Sequence, residues 1–167
     1  MVNHELLSDN ELVKKYLPLK MEKFFYKKLS SEKQERVKLK IVEFLKYIVL
    51  SQYTAGPIPF SKEIDEIWHI WILQTRQYQE LMELLPIDKF CHHCSNAYYD
   101  EGENEIEVEK EINRKVSFLM SYVHNFGEFK EETLRFWPMA FDLYHLHGNC
   151  LTAMHHYIRS LPCIDIL

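Results

Sequence analysis

Glycine is scarce in this chain, with four in 167 residues, and proline is little commoner, with six. Sandwiches and barrels need many turn residues with left-handed or fixed backbone angles, so this composition argues against both. No apolar run reaches the ~18–20 residues that cross a bilayer as a helix. The opening Met1-Val2-Asn3-His4-Glu5 lacks the basic and apolar regions of a secretory leader. Together these absences lead to the expectation of a cytoplasmic protein without a membrane span. Four cysteines are too few for a disulfide scaffold in a chain of this length, so buried thiols or metal ligands are expected instead. Also missing are a Gly-rich phosphate loop, a Gly-x-Ser-x-Gly elbow and a His-Glu-x-x-His pair, which removes the familiar routes to nucleotide binding and hydrolysis. No internal repeat is visible.

What is present is a large apolar and aromatic content. Hydrophobic residues make up 47% of the chain, including ten Tyr, ten Phe and three Trp. A chain of this size buries roughly two-thirds of its unfolded surface, enough for one real core. The net charge of −5 gives no general attraction to nucleic acid, and no nucleic-acid partner is expected. The first forty residues are nevertheless basic, with Lys14, Lys15, Lys20, Lys23, Lys27, Lys28, Lys33, Arg36, Lys38 and Lys40. Interspersed with Glu22, Glu32 and Glu35, they read as a solvated face; the functional alternative is contact with an acidic partner or with membrane headgroups.

The periodicity is helical throughout. Pro18 splits the basic segment in two. Ser31 with Gln34 forms a capping-box pattern for a helix bearing Val37, Ile41, Phe44, Leu45 and Ile48, which ends before Gly56-Pro57. Ser61 is the expected N-cap of a third helix, at about 62–85. This helix carries Ile64, Trp68, Trp71, Thr75, Tyr78 and Met82 on one stripe and Asp65, His69 and Ile72 beside it. Being apolar nearly all round, it is expected at the centre of the fold. Val108, Ile112, Val116, Leu119, Val123 and Phe126 predict an amphipathic helix that stops at Gly127. Further helices are expected after Glu131, with Pro138 in a first turn, and from Leu151. The expected fold is all-α: one compact bundle of five to seven helices over residues 1–167. A basic helical segment lies at 1–30 and a His-rich extension at 139–167.

Two constellations could carry chemistry. Asp65 and His69 are four apart on one helix face, so the carboxylate can orient the imidazole as a ligand or base. The structural alternative is a polar pin on an apolar helix. Phe90-Cys91-His92-His93-Cys94 brings two thiols and two imidazoles together. Cys91 and Cys94 have zinc-knuckle spacing, with His145, His147 and Cys150 available as a second pair. The rival metal set is His69 with His92 or His93 and Tyr78. The structural alternative has both thiols packing as small apolar residues. Trp68, Trp71, Trp137, Tyr78, Tyr98, Tyr99 and Phe90 could line a pocket but read first as core.

These pieces also resemble a family. Ile58-Pro59-Phe60-Ser61, Ile64-Asp65-Glu66-Ile67-Trp68-His69, Ile72-Leu73, Thr75, Tyr78 and then Phe90 with His92-His93 look like the signature of the glycine-rich-domain-containing-protein-like family of plants, fungi and bacteria. Residues 122–127 and Trp137 sit where that family has an aromatic-rich helix end and a tryptophan, so the resemblance covers roughly 35–138. It departs at Trp71, where the family has a second histidine, and at Cys94. The resemblance implies a fold and a shared residue set, and no particular reaction. The functional expectation is a non-catalytic binding protein with a protein partner, holding zinc or another transition metal as its implied cofactor. Its metal residues are expected among His69, His92, His93, Cys91 and Cys94, with Asp65, Tyr78, Trp68 and Thr75 supporting or lining the site. The alternative is a small metal-dependent enzyme built on the same residues.

Overall fold

The computed structural model describes residues 7–54, 56, 58–87, 90–93 and 105–162. The described residues are all-helical, as expected, and pack as a compact bundle. They form α1 (Asp9–Tyr16), α2 (Leu19–Lys28), α3 (Gln34–Ser51), α4 (Lys62–Ile72), α5 (Thr75–Glu83), α6 (Glu105–Phe126), α7 (Glu131–Leu134), α8 (Pro138–Leu146) and α9 (Leu151–Ser160). The count exceeds the expected five to seven, partly because the helix expected at 62–85 is two. Gln74, at φ −94 and ψ 66, leaves the helical region between α4 and α5. The Trp71 indole N–H then reaches across the break to the Gln77 carbonyl at 3.3 Å. Trp71 and Tyr78 are buried on either side of the break, while Thr75, expected on the same stripe, is exposed. With neither Gly nor Pro at the break, local sequence carries no stop signal there.

Of the signals read from the sequence, Pro18 and Ser61 hold and Ser31 does not, and the cap of α1 adds one that was not read. Ser8 and Glu11 form a reciprocal capping box on α1. Pro18 separates α1 from α2, and Ser61 caps α4 through the Ile64 N–H. Ser31 does not cap α3; its N-cap is Lys33, with no side-chain cap. Gly127, at φ +84, ends α6 in a conformation that glycine adopts without strain.

The centre of the bundle is α3, not α4. Residues 40–50 of α3 are buried without interruption, and α1, α2, α4 and α6 all pack against this helix. On α4, Ile64, Ile67, Trp68 and Trp71 face the core, while Glu66 and His69 face outward. The register of α6 differs from its expected stripe. Phe118, Leu119 and Tyr122 are buried, whereas Val108 and Ile112 are exposed. Trp68, Trp71, Trp137 and Tyr78 are core; Phe90 is exposed, and Tyr98 and Tyr99 lie outside the described residues.

Three charges of α3 are buried: Lys40, which pairs with Glu32 and Glu66, and Glu43 and Lys46, which meet each other. The Glu43 side chain is fully buried. Its carboxylate receives the Tyr122 hydroxyl at 2.8 Å, the Trp137 indole N–H at 2.7 Å and the Lys46 ammonium at 2.8 Å. Lys46 also donates to Tyr122 Oη at 3.1 Å and pairs with Asp9 at 3.0 Å. Burial, then the Glu43 charge, push the Tyr122 phenol well above its ordinary value, so it stays protonated and donates. Phe129 stacks on Tyr122 at 4.0 Å, and its N–H donates to Nε2 of buried His155 at 2.9 Å. The network thus ties α1, α3, α6 and the start of α8, and the Phe129 contact extends it to α9.

Two outcomes follow. Glu43→Ala strands the Lys46 ammonium and two aromatic donors, and should cost ~3–5 kcal/mol in urea unfolding. Glu43→Leu combined with Lys46→Met should cost less than the single change, because no charge is left unpaired. His155 is held below its ordinary pKa chiefly by burial. The unfolded chain therefore takes up this proton more readily. Stability should be constant above pH ~6.5 and fall as pH drops from there toward the lowered folded value, by up to ~1.4 kcal/mol per pH unit. Urea midpoints at several pH values, compared with His155→Asn, isolate this contribution.

Candidate metal centre

Ser61 sets the start of α4 and thereby places Asp65 and His69 one turn apart on its outer face. The His69 Nδ1 lies 2.8 Å from the Asp65 backbone oxygen and 3.2 Å from its Oδ2. Both partners are acceptors, so Nδ1–H donates and Nε2 keeps its lone pair. His93 arrives from the segment after α5 and places Nε2 2.7 Å from Asp65 Oδ1. The two imidazoles meet edge to face, with ring centroids 4.3 Å apart. One carboxylate therefore sits between two histidines. Among the described residues this is the one trio of His, Cys, Asp or Glu whose ligand atoms all lie within 4.8 Å of one another.

A buried layer beneath holds His93 in place. The Trp68 ring lies edge-on to the His93 ring at 4.6 Å. The Trp68 indole N–H donates to Tyr78 Oη at 3.0 Å, and the Tyr78 hydroxyl donates to the Cys91 carbonyl at 2.6 Å. The Cys91 N–H points at Met82 Sδ at 3.4 Å. Burial pushes the Tyr78 phenol far up, so it remains a neutral donor. A helix pair and a short extended segment are thereby clamped two residues before His93.

The expected site residues divide accordingly. His69 and His93 converge, and Asp65 joins them directly, within reach of the same ion, not only behind His69. His92 is exposed and turns to the Phe90 ring at 4.8 Å. Cys91 directs its Sγ toward Ser51 Oγ at 3.6 Å. Cys94 lies outside the described residues. Tyr78 and Trp68 support the loop, and Thr75 is exposed at the first position of α5. Among the histidines near the C-terminus, His145 pairs with Asn149, His147 packs on Tyr157, and His155 serves the Phe129 N–H. Cys150 is exposed at the N-cap of α9.

Asp65 as a direct partner was visible in its spacing to His69. The Glu43 network was not anticipated, although an acid and a base three apart inside Ile41-Val42-Glu43-Phe44-Leu45-Lys46 were a usable signal. No family model matches the chain, and no curated protein or solved structure matches it.

Tyr78→Phe keeps the ring and removes the hydroxyl. It should remove the acceptor of the Trp68 N–H and the hydroxyl donor to the Cys91 carbonyl and cost ~1–3 kcal/mol. Urea unfolding reads the loss. A change in the His93 ring resonances, with the Tyr122 and Trp137 signals unmoved, would locate it at this loop.

Proposed function

We propose that the protein is a non-catalytic metal-binding interaction protein that holds one divalent transition ion, zinc foremost, between Asp65, His69 and His93. The observation that carries this is the convergence of three ligand atoms within 4.8 Å, with both imidazoles already on the shared carboxylate. Two imidazoles and a carboxylate suit Zn²⁺ or Fe²⁺ better than the hard ions Mg²⁺ and Ca²⁺. His69 would bind through Nε2, its Nδ1–H held by the Asp65 carbonyl. On His93, metal at Nε2 would leave the ring N–H on Nδ1, and protons compete with the ion for both imidazoles, so affinity should fall with acidity. The ion would join α4 to the segment at 90–93 and add its binding energy to that docking. The resemblance to the glycine-rich-domain-containing-protein-like family supports the same residues, since Asp65, His69 and His93 lie within the matching motifs. Trp71, in place of the family's second histidine, is fully buried in the core, which leaves three protein ligands.

That ligand count supports a second reading, a metal-dependent enzyme. Three protein ligands leave a coordination position open, and the His69 side chain is 53% exposed on that side.

Metal analysis of protein purified without an affinity tag should give about one ion per chain. His93→Ala and Asp65→Ala should each weaken Zn²⁺ by more than about tenfold, while Cys91→Ser leaves it unchanged. A content far below stoichiometry after zinc-replete expression, or unchanged affinity in His93→Ala, would sink the proposal. Co²⁺ substitution separates the two readings: an exchangeable water on the bound ion favours the enzyme.

A further inference from the structure

At 100° per residue, α2 turns Met21 and Phe25 into the core and Leu19, Lys20, Lys23 and Lys27 to the opposite side. All four outward residues are exposed, Leu19 to 64%. Among the described residues, Lys20, Lys23 and Lys27 have no ion pair or hydrogen bond. Exposed Lys14 and Lys15 end α1 just before Pro18, and Lys28 lies over the Phe24 ring. Three acids lie near this face, of which exposed Glu35 acts on Tyr26 of α2 only through its charge. Glu22 accepts the Tyr26 hydroxyl at 2.8 Å, and Glu32 pairs with Lys40 and Arg36. Residues 14–28 thus contain six lysines and one acid in a chain of net charge −5. Lys20, Lys23 and Lys27 pair directly with none of these acids, and the remainder of the molecule is acidic.

We propose that the outer face of α2 docks on an anionic phospholipid surface, with Leu19 entering the headgroup layer and Lys20, Lys23 and Lys27 set against the lipid phosphates and carboxylates. Leu19 separates this partner from nucleic acid. An exposed leucine beside exposed Pro18 gains from burial only where an apolar layer lies beneath the charges, and a phosphodiester groove offers none. The acidic remainder of the chain would be repelled by the same surface, which orients the molecule with α2 downward. No described helix is long and apolar enough to cross a membrane, so the contact is peripheral. A single ten-residue helix with three facing lysines makes it reversible and sensitive to salt.

Co-sedimentation of the full chain with vesicles tests this. Binding is expected to phosphatidylcholine vesicles containing about 30% phosphatidylserine and not to phosphatidylcholine alone. It should weaken strongly between about 0.05 and 0.5 M NaCl. Lys20→Glu/Lys23→Glu/Lys27→Glu should lower partitioning on the order of 100-fold or more. Leu19→Ser should lower it roughly severalfold with the salt dependence kept. All four positions are exposed, so circular dichroism and the thermal midpoint should not move. If the charge reversal impairs folding, the triple Gln variant gives the same comparison with a smaller loss. Equal binding to both vesicles, no binding to the anionic ones, or binding retained in a folded triple variant would overturn the proposal. Tighter binding to a fluorescent DNA duplex than to the vesicles would also overturn it and move the face to nucleic acid.

Discussion

A buried carboxylate organises this fold. Removing Glu43 from water is unfavourable by several kcal/mol unless donors replace the lost hydration. Three do so: the Lys46 ammonium, the Tyr122 hydroxyl and the Trp137 indole. They come from α3, from α6 and from the residue that starts α8. Each of those elements must therefore arrive in register for the charge to be satisfied. Leucine and phenylalanine contacts can slide by a rotamer; a fully paired carboxylate cannot. Asp9 completes the set by closing over Lys46 from α1. Phe129, stacked on Tyr122 and bonded to His155, passes the same constraint to α9.

The Asp65–His69–His93 trio lies at the outer side of α4. Helix α4 is anchored on α3 by Ile64, Ile67, Trp68 and Trp71, so the outward positions of Asp65 and His69 follow from where the apolar residues must go. His93 has no helix to place it. Its position depends on Tyr78 and Trp68, from the two helices on either side of Gln74, whose hydrogen bonds hold the Cys91 carbonyl. On the same molecule, α2 turns lysines and a leucine outward because Met21 and Phe25 must go inward. Both faces are the solvent sides of helices whose inner sides are set by core packing.

Much of the fold was legible in the chain, and the misses share a cause. Caps at Ser61, Pro18, Gly127 and Pro138 are local chemistry, in which a side chain or ring acts on backbone a few residues away. Such signals survive without tertiary context. Ser31 failed because capping patterns are common and the chain can start a helix at any of several neighbouring residues. The α6 stripe failed in phase because Phe118 and Tyr122 compete with Val116 and Val123 for the inner side, and the partner surface decides. Asp65 and His69 could be paired by spacing alone. Choosing His93 over its neighbour His92 could not, since both lie in a segment without regular structure whose placement depends on the anchored Cys91 carbonyl.

By itself the sequence determined an all-α chain, most of its helix boundaries, the apolar inner side of α4 and the Asp65–His69 pair. Those features depend on periodicity and on bonds within one turn. Tertiary structure alone decided that α3 is central, that Glu43 and Lys46 are buried together, that the third helix breaks at Gln74, and that His93 completes the trio. The Glu43 network and the trio depend on partners 26 to 94 positions apart, such as Glu43 with Trp137 or Asp65 with His93. No local pattern encodes such a pairing, because it exists only once the core has chosen which faces turn inward.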